Sequence, residues 1–138
     1  MKRGTFEYIE QTLLDYKDID KHIKKRIEEL KYPVADVDEN IGGGKSNKIS
    51  DPTARMAITI IDDLLISNLQ RTKRIVDEVL ESMEPEAKRV IDLYYIEKPR
   101  KYTWAGVAEA TNYSERHCKR IRDRTFKEIA EKLGMPIE

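Results

Sequence analysis

Residues Thr103–Ile121, TWAGVAEATNYSERHCKRI, can be laid on a helix-turn-helix with few misfits. Ala108 is small where the first helix must approach the second. Asn112, four residues on, occupies the turn position that requires positive φ, which Asn tolerates better than most residues. Tyr113 follows as an apolar plug, and Ser114 is a suitable N-cap for the second helix. Val107, Cys118 and Ile121 supply the apolar positions that lock the two helices together. The second helix then presents Glu115, Arg116, His117, Lys119, Arg120 and Arg124 away from that core.

The charge around this stretch gives it a direction. The whole chain of 138 residues is neutral, with 26 Lys and Arg against 26 Asp and Glu. Between Lys98 and Lys127, however, nine cations face three anions, a local charge of +6. A solvated helix face explains charge as such. A neutral chain that gathers its cations in one segment carries an electrostatic footprint for phosphate. The expected partner is double-stranded DNA, with the helix that starts after Ser114 in the major groove. Arg116 and Arg120 are the candidates for base contacts, because Arg matches guanine bidentately. Glu115, near the helix start, can accept from cytosine. Lys119, Arg124, Arg100 and Lys101 are candidates for phosphate contacts that set register. Arg122 points elsewhere by helical spacing.

Other chemistries find less support. Gly44-Lys45-Ser46 resembles the end of a phosphate-binding loop, but the glycine required five residues earlier is Glu39, and no buried strand precedes it. His22 and His117 lack the spacing of a ligand pair, so no metal site is expected. Asp62 with Asp63, Glu28 with Glu29, and Asp36 with Asp38 read as solubilising pairs. Nothing brings a base, a nucleophile and an oxyanion donor together, so a non-enzymatic chain without a cofactor is expected. Tyr94, Tyr95, Tyr102 and Trp104 form the one aromatic cluster; packing is the expected role, with stacking on single strands as the alternative. Cys118, the only cysteine, reads as a small core residue.

The rest of the chain reads as helical. Phe6, Ile9, Leu13, Tyr16, Ile23, Ile27 and Leu30 alternate in spacings of three and four, which predicts one long helix over Thr5–Lys31. Asp20 takes one slot of that seam, either as a register-setting polar residue or as the meeting point of two shorter helices. From Tyr32 to Asp51 the pattern collapses around Pro33 and Gly42–Gly44, a flexible linker or ordered loop. Asp51 as N-cap and Pro52 at N1 then predict a second long helix. Its apolar stripe, from Ile58, Ile61 and Leu65 to Val76, Val79 and Met83, is wide enough to need more than one neighbour. Pro85 opens a third helix that runs to about Glu97, and Gly134 suits the end of the last.

The expected fold is therefore all-α: long N-terminal helices joined by a Gly-rich loop, followed by a C-terminal helix-turn-helix domain. The expected division is 1–84, a self-association or partner region with its loop at 32–51, and 85–138, the DNA-binding domain. Sustained seams need covering, so a homodimer is expected; the alternative is that these helices pack within one chain and leave a face for host RNA polymerase. With no run of about 18 apolar residues and no signal-like N-terminus, neither a membrane span nor secretion is expected, and the cytoplasm is the default.

Two longer stretches carry a resemblance. Arg89–Leu133, RVIDLYYIEKPRKYTWAGVAEATNYSERHCKRIRDRTFKEIAEKL, resembles the C-terminal promoter-reading domain of sigma factors. Glu39–Thr53, ENIGGGKSNKISDPT, followed by a long helix and the KPRKYTW segment, is similar to the RinA family of phage transcriptional regulators, near relatives of the ArpU type. The resemblance spans essentially the whole chain, and the loop is its more specific part. It implies a phage-encoded activator of late operons for DNA packaging and morphogenesis, acting in a bacterial host cytoplasm. It also implies that Ser114, Glu115, Arg116, His117, Lys119 and Arg120 face DNA, with Asn112 in place of the more frequent turn glycine. Two alternatives stand beside this reading. One is a small-terminase-like packaging protein, and the other is a module whose basic helix binds an acidic protein surface.

Overall fold

The computed structural model describes residues 1–32 and 52–138, and all of its regular elements are helical. The Gly42–Gly44 loop and the Asp51 cap lie outside the described residues. In chain order the helices are α1 (Arg3–Asp15), α2 (Ile19–Lys31), α3 (Pro52–Asp62), α4 (Leu64–Ser82), α5 (Pro85–Ile91), α6 (Trp104–Thr111) and α7 (Glu115–Leu133). The chain divides into two compact units, residues 1–18 with 72–138, and residues 19–71. The division read at Pro85 therefore falls inside the first unit.

Both long helices expected in the N-terminal half are interrupted. The first breaks at a tight 3-10 turn, Tyr16–Asp18, just before Asp20. Its seam is shared out: Ile9 and Leu13 are buried in the first unit, and Ile23, Ile27 and Leu30 are half-buried in the second. The second breaks at Asp63, whose Oδ1 accepts the Ile66 backbone N–H at 3.0 Å. An aspartate that caps the helix following it competes with continuation of the helix preceding it. A periodic apolar pattern cannot register such a break, because the period is unchanged across it.

In the first unit, Ile9 and Leu13 of α1 join Val76 and Val79 of α4, Val90 and Ile91 of α5, Val107 of α6, and Cys118, Phe126 and Ile129 of α7. All of these are fully buried. The Phe126 ring lies between Phe6, at 4.9 Å, and Tyr95, at 5.5 Å between centroids. Polar contacts tie α1 to the same body. The Thr5 hydroxyl donates to the Pro136 carbonyl at 2.8 Å, the Tyr95 hydroxyl to Glu10 Oε2 at 2.8 Å, and the Tyr16 hydroxyl to Asp77. Burial, and then the Glu10 carboxylate, push the Tyr95 phenol up, so it stays protonated and donates. Helix α1 is thus part of the body that carries the helix-turn-helix, and its face is spent inside that body.

Helix α5 does not run on as an α-helix to Glu97. It passes into a π-helical turn over Asp92–Ile96, with the Glu97 N–H donating to the Asp92 carbonyl at 2.8 Å. The reason lies in the spacing. Val90 and Ile91 are buried, and so are Tyr95 and Ile96, five residues further on. An i to i+5 turn brings residues five apart back to one face, where an α-helix would swing them away.

In the second unit, α2 packs on α3. Ile19 and Ile66 are the buried apolar residues there, among the described ones. Arg26 Nη2 lies 2.9 Å from Asp63 Oδ2, so α2 is clamped to the residue that joins α3 to α4. The Arg26 hydrogen bond, followed by the Ile66 amide, holds the Asp63 carboxyl below the usual carboxylate range. A depressed carboxylate contributes stability that is present above its unfolded value, about 3.9, and is lost as pH falls through the lower folded value. Hydrogen exchange over 52–71, corrected for intrinsic rate, is therefore expected to lose protection on acidification below about pH 4. Asp63→Asn is expected to lack that part of the change, and an unaltered acid response in it would refute the assignment.

Candidate nucleic-acid interface

The helix-turn-helix forms as its residues dictate. The Thr103 hydroxyl accepts the Gly106 N–H at 3.1 Å and caps α6. Asn112 ends α6 in the left-handed region, with φ 62° and ψ 18°. The Ser114 hydroxyl accepts the His117 N–H at 3.0 Å and caps α7. Val107, Cys118 and Ile121 are buried between the helices, with Ala108 and Tyr113 packed beside them. Gly134, at φ 75°, ends α7. Since Ser114 is a cap, Ser114→Ala is expected to lower stability by about 1 kcal/mol, read from a denaturant melt. A change indistinguishable from zero would mean that packing alone holds the turn.

The predicted DNA-facing residues divide into groups. Glu115, Arg116, Arg120 and Arg124 are exposed, and Lys119 is half-buried. Glu115, Arg116, Lys119 and Arg120 line one open groove along α7, together with Arg122 and Asp123. At 100° per residue, Arg116, Arg120, Asp123 and Lys127 fall on a single line. Lys127 is exposed and extends this face by two turns beyond Arg120. Its helical spacing from Arg116 and Arg120 is by itself enough to place it there.

Other members sit differently. The Ser114 hydroxyl is engaged in its cap. The His117 ring is half-buried, edge-on to Tyr113 at 4.6 Å. With Met83, Tyr113, Ile121, Arg124 and Glu128 it lines a second cleft, on another flank of α7. Arg100 Nε donates to the Tyr94 carbonyl at 3.0 Å, and its guanidinium lies 4.9 Å from the Tyr94 ring centre. Lys101 Nζ is 3.9 Å from Glu97, on an exposed pair that water screens. Lys98, Arg100 and Lys101 are all exposed on the strap that leads into α6.

The aromatic cluster packs. Tyr94 stacks on Trp104 at 3.9 Å, and Tyr95 meets Trp104 edge-on at 6.1 Å. Arg122 closes the stack, 5.3 Å from the Trp104 ring centre and 5.0 Å from that of Phe6, while its Nε donates to Asp123 at 2.9 Å. A guanidinium held between two rings is partly desolvated and gains from their negative faces. Arg122 thus borders the groove while its guanidinium binds α7 to α6 and α1, and it also offsets Asp123, the one acid on the line of Arg116 and Arg120.

Among the described residues, no group of three or more His, Cys, Asp or Glu could hold a metal ion, and no helix is long and apolar enough to cross a membrane. Residues 6–132 match the model of the family described as "Protein of unknown function (DUF722)". No curated protein and no solved structure matches the chain.

Proposed function

The chain belongs to the DUF722 family, and from its own residues we propose that it is a sequence-specific, non-enzymatic DNA-binding transcriptional regulator. The observation that carries the reading is α7: a helix exposing Arg116, Arg120, Arg124 and Lys127, opened by a capped turn. It lies in a segment of net charge +6 within a neutral chain. Its first two turns enter the major groove, where Arg116 and Arg120 read base edges and Glu115 accepts from cytosine. Lys119, Arg124 and Lys127 hold phosphates, and Arg100 and Lys101 do so from the strap before α6. The half-buried His117 is the weakest of the base-reading candidates.

The resemblance to RinA and ArpU regulators supplies the finer reading. The regulated genes are phage late genes for packaging and morphogenesis, and the effect is activation. The protein acts on DNA in the host cytoplasm, as a dimer.

Selection of bound duplexes from a random pool, at about 150 mM salt, tests the proposal, because binding by phosphate contact alone fades there. Enrichment of a defined motif is expected. Binding without enrichment, and only at low salt, would overturn sequence-specific regulation in favour of a packaging or protein-partner role.

A further inference from the structure

Helix α3 carries apolar side chains on both of its faces. Met56 and Ile60 are half-buried and line a groove with Lys31 and Tyr32 at the end of α2. The opposite face is open. Ile58 is 58% exposed, Ile61 73% and Leu65, on α4, 49%. A helix that is apolar all round belongs in an interior. The second unit does not provide one among its described residues, since only Ile19 and Ile66 are buried there. Adjacent large aliphatic side chains left in water mark an interface.

We propose that a second copy of this chain covers this face, with α3 antiparallel to its counterpart about a two-fold axis. Ala54, Ile58 and Ile61 recur along α3 at spacings of four and three, the seam of a paired helix, and Leu65 follows at the next spacing on α4, past the break at Asp63. In an antiparallel register that sets Ile58 against the partner's Ile61, Leu65 meets the partner's Ala54, large against small. Two-fold symmetry makes each of these contacts twice. The same register brings Arg55 to the edge of the seam beside the partner's Asp62. Both residues are exposed, and the pair joins opposite charges. A parallel pairing would set Asp62 beside the partner's Ala57 instead and form no such ion pair. The face is thus complementary to itself in shape and in charge, in one orientation. The inference deepens the DNA-binding reading, on which it rests for the purpose of the pair: two copies present two α7 helices to two half-sites.

Sedimentation velocity of the full chain, free of DNA, tests the surface. The wild type is expected to sediment as a dimer and Ile61→Asp as a monomer, with far-UV circular dichroism confirming that the variant is folded. Arg55→Asp and Asp62→Arg are each expected to weaken the dimer by about tenfold or more, since each creates like-charged pairs. The combined Arg55→Asp/Asp62→Arg chain is expected to recover it. A wild-type monomer, or a double swap no tighter than its parents, overturns the proposal. DNA selection run alongside separates the two readings. A monomer that still enriches a motif overturns the surface and leaves the regulator standing. A dimer that enriches nothing supports the surface and overturns the regulator.

Discussion

Replacing Arg116 and Arg120 together by alanine is expected to abolish sequence preference while leaving the protein folded. Both side chains are exposed on α7 and contribute nothing to the core. Each bidentate contact to guanine discriminates by about 1–3 kcal/mol. For two well-separated base pairs the penalties are roughly additive, giving about 2–6 kcal/mol on the preferred site, or some thirty-fold to more than ten-thousand-fold in Kd. On random duplex the loss is smaller, because only phosphate attraction is removed. Lys127→Ala is the internal comparison. It is expected to weaken binding about equally on preferred and random DNA, and to flatten the dependence on salt by about one ion. Fluorescence anisotropy on both duplexes, at two salt concentrations, distinguishes the cases. Equal losses on the two duplexes for the Arg double variant would refute base reading by this helix.

The second large effect is one of stability. Phe126→Ala is expected to cost about 3–5 kcal/mol, the range for removing a buried aromatic ring. Phe126 is fully buried, with the Phe6 and Tyr95 rings on either side, so the cavity would open where α1, α7 and the π turn meet. Against a total stability of about 5–15 kcal/mol for a domain, this leaves the first unit marginal. A fall in the urea midpoint with an unchanged slope is the expected signature. Phe126→Leu, which keeps most of the volume, is expected to cost far less. A loss below about 1 kcal/mol for Phe126→Ala would mean that α1 collapses into the space, and that the body holding the recognition helix is more plastic than its packing implies.

The helix-turn-helix was legible without coordinates because its signals are local. Ser114 as cap, Asn112 in the left-handed turn and Gly134 at the end of α7 each act on backbone groups within four residues. Chemistry at that range can be read from neighbours in the chain. The burial of Val107, Cys118 and Ile121 follows from the same period of 3.6.

What was not legible depends on residues far apart in sequence. Asp63 interrupts the second long helix by capping α4, with Arg26 of α2 at its other oxygen; an apolar pattern is silent on both. Helical spacing already sets Arg122 apart from Arg116 and Arg120, but not where it goes: Phe6 and Trp104, from two other helices, supply the rings it packs on. His117 was placed with the exposed residues of α7, and Tyr113 draws it into a half-buried position. The seam through α1 and α2 reads as one interface, yet Ile9 and Leu13 go to one compact unit and Ile23 and Ile27 belong to the other. By itself, then, the sequence determined the helices with strong local punctuation, the turn between α6 and α7, and the concentration of positive charge around them. Tertiary structure alone decided which apolar face meets which, that the second long helix breaks at Asp63, and what Arg122 packs against, because burial is settled by competition among segments that only folding brings together.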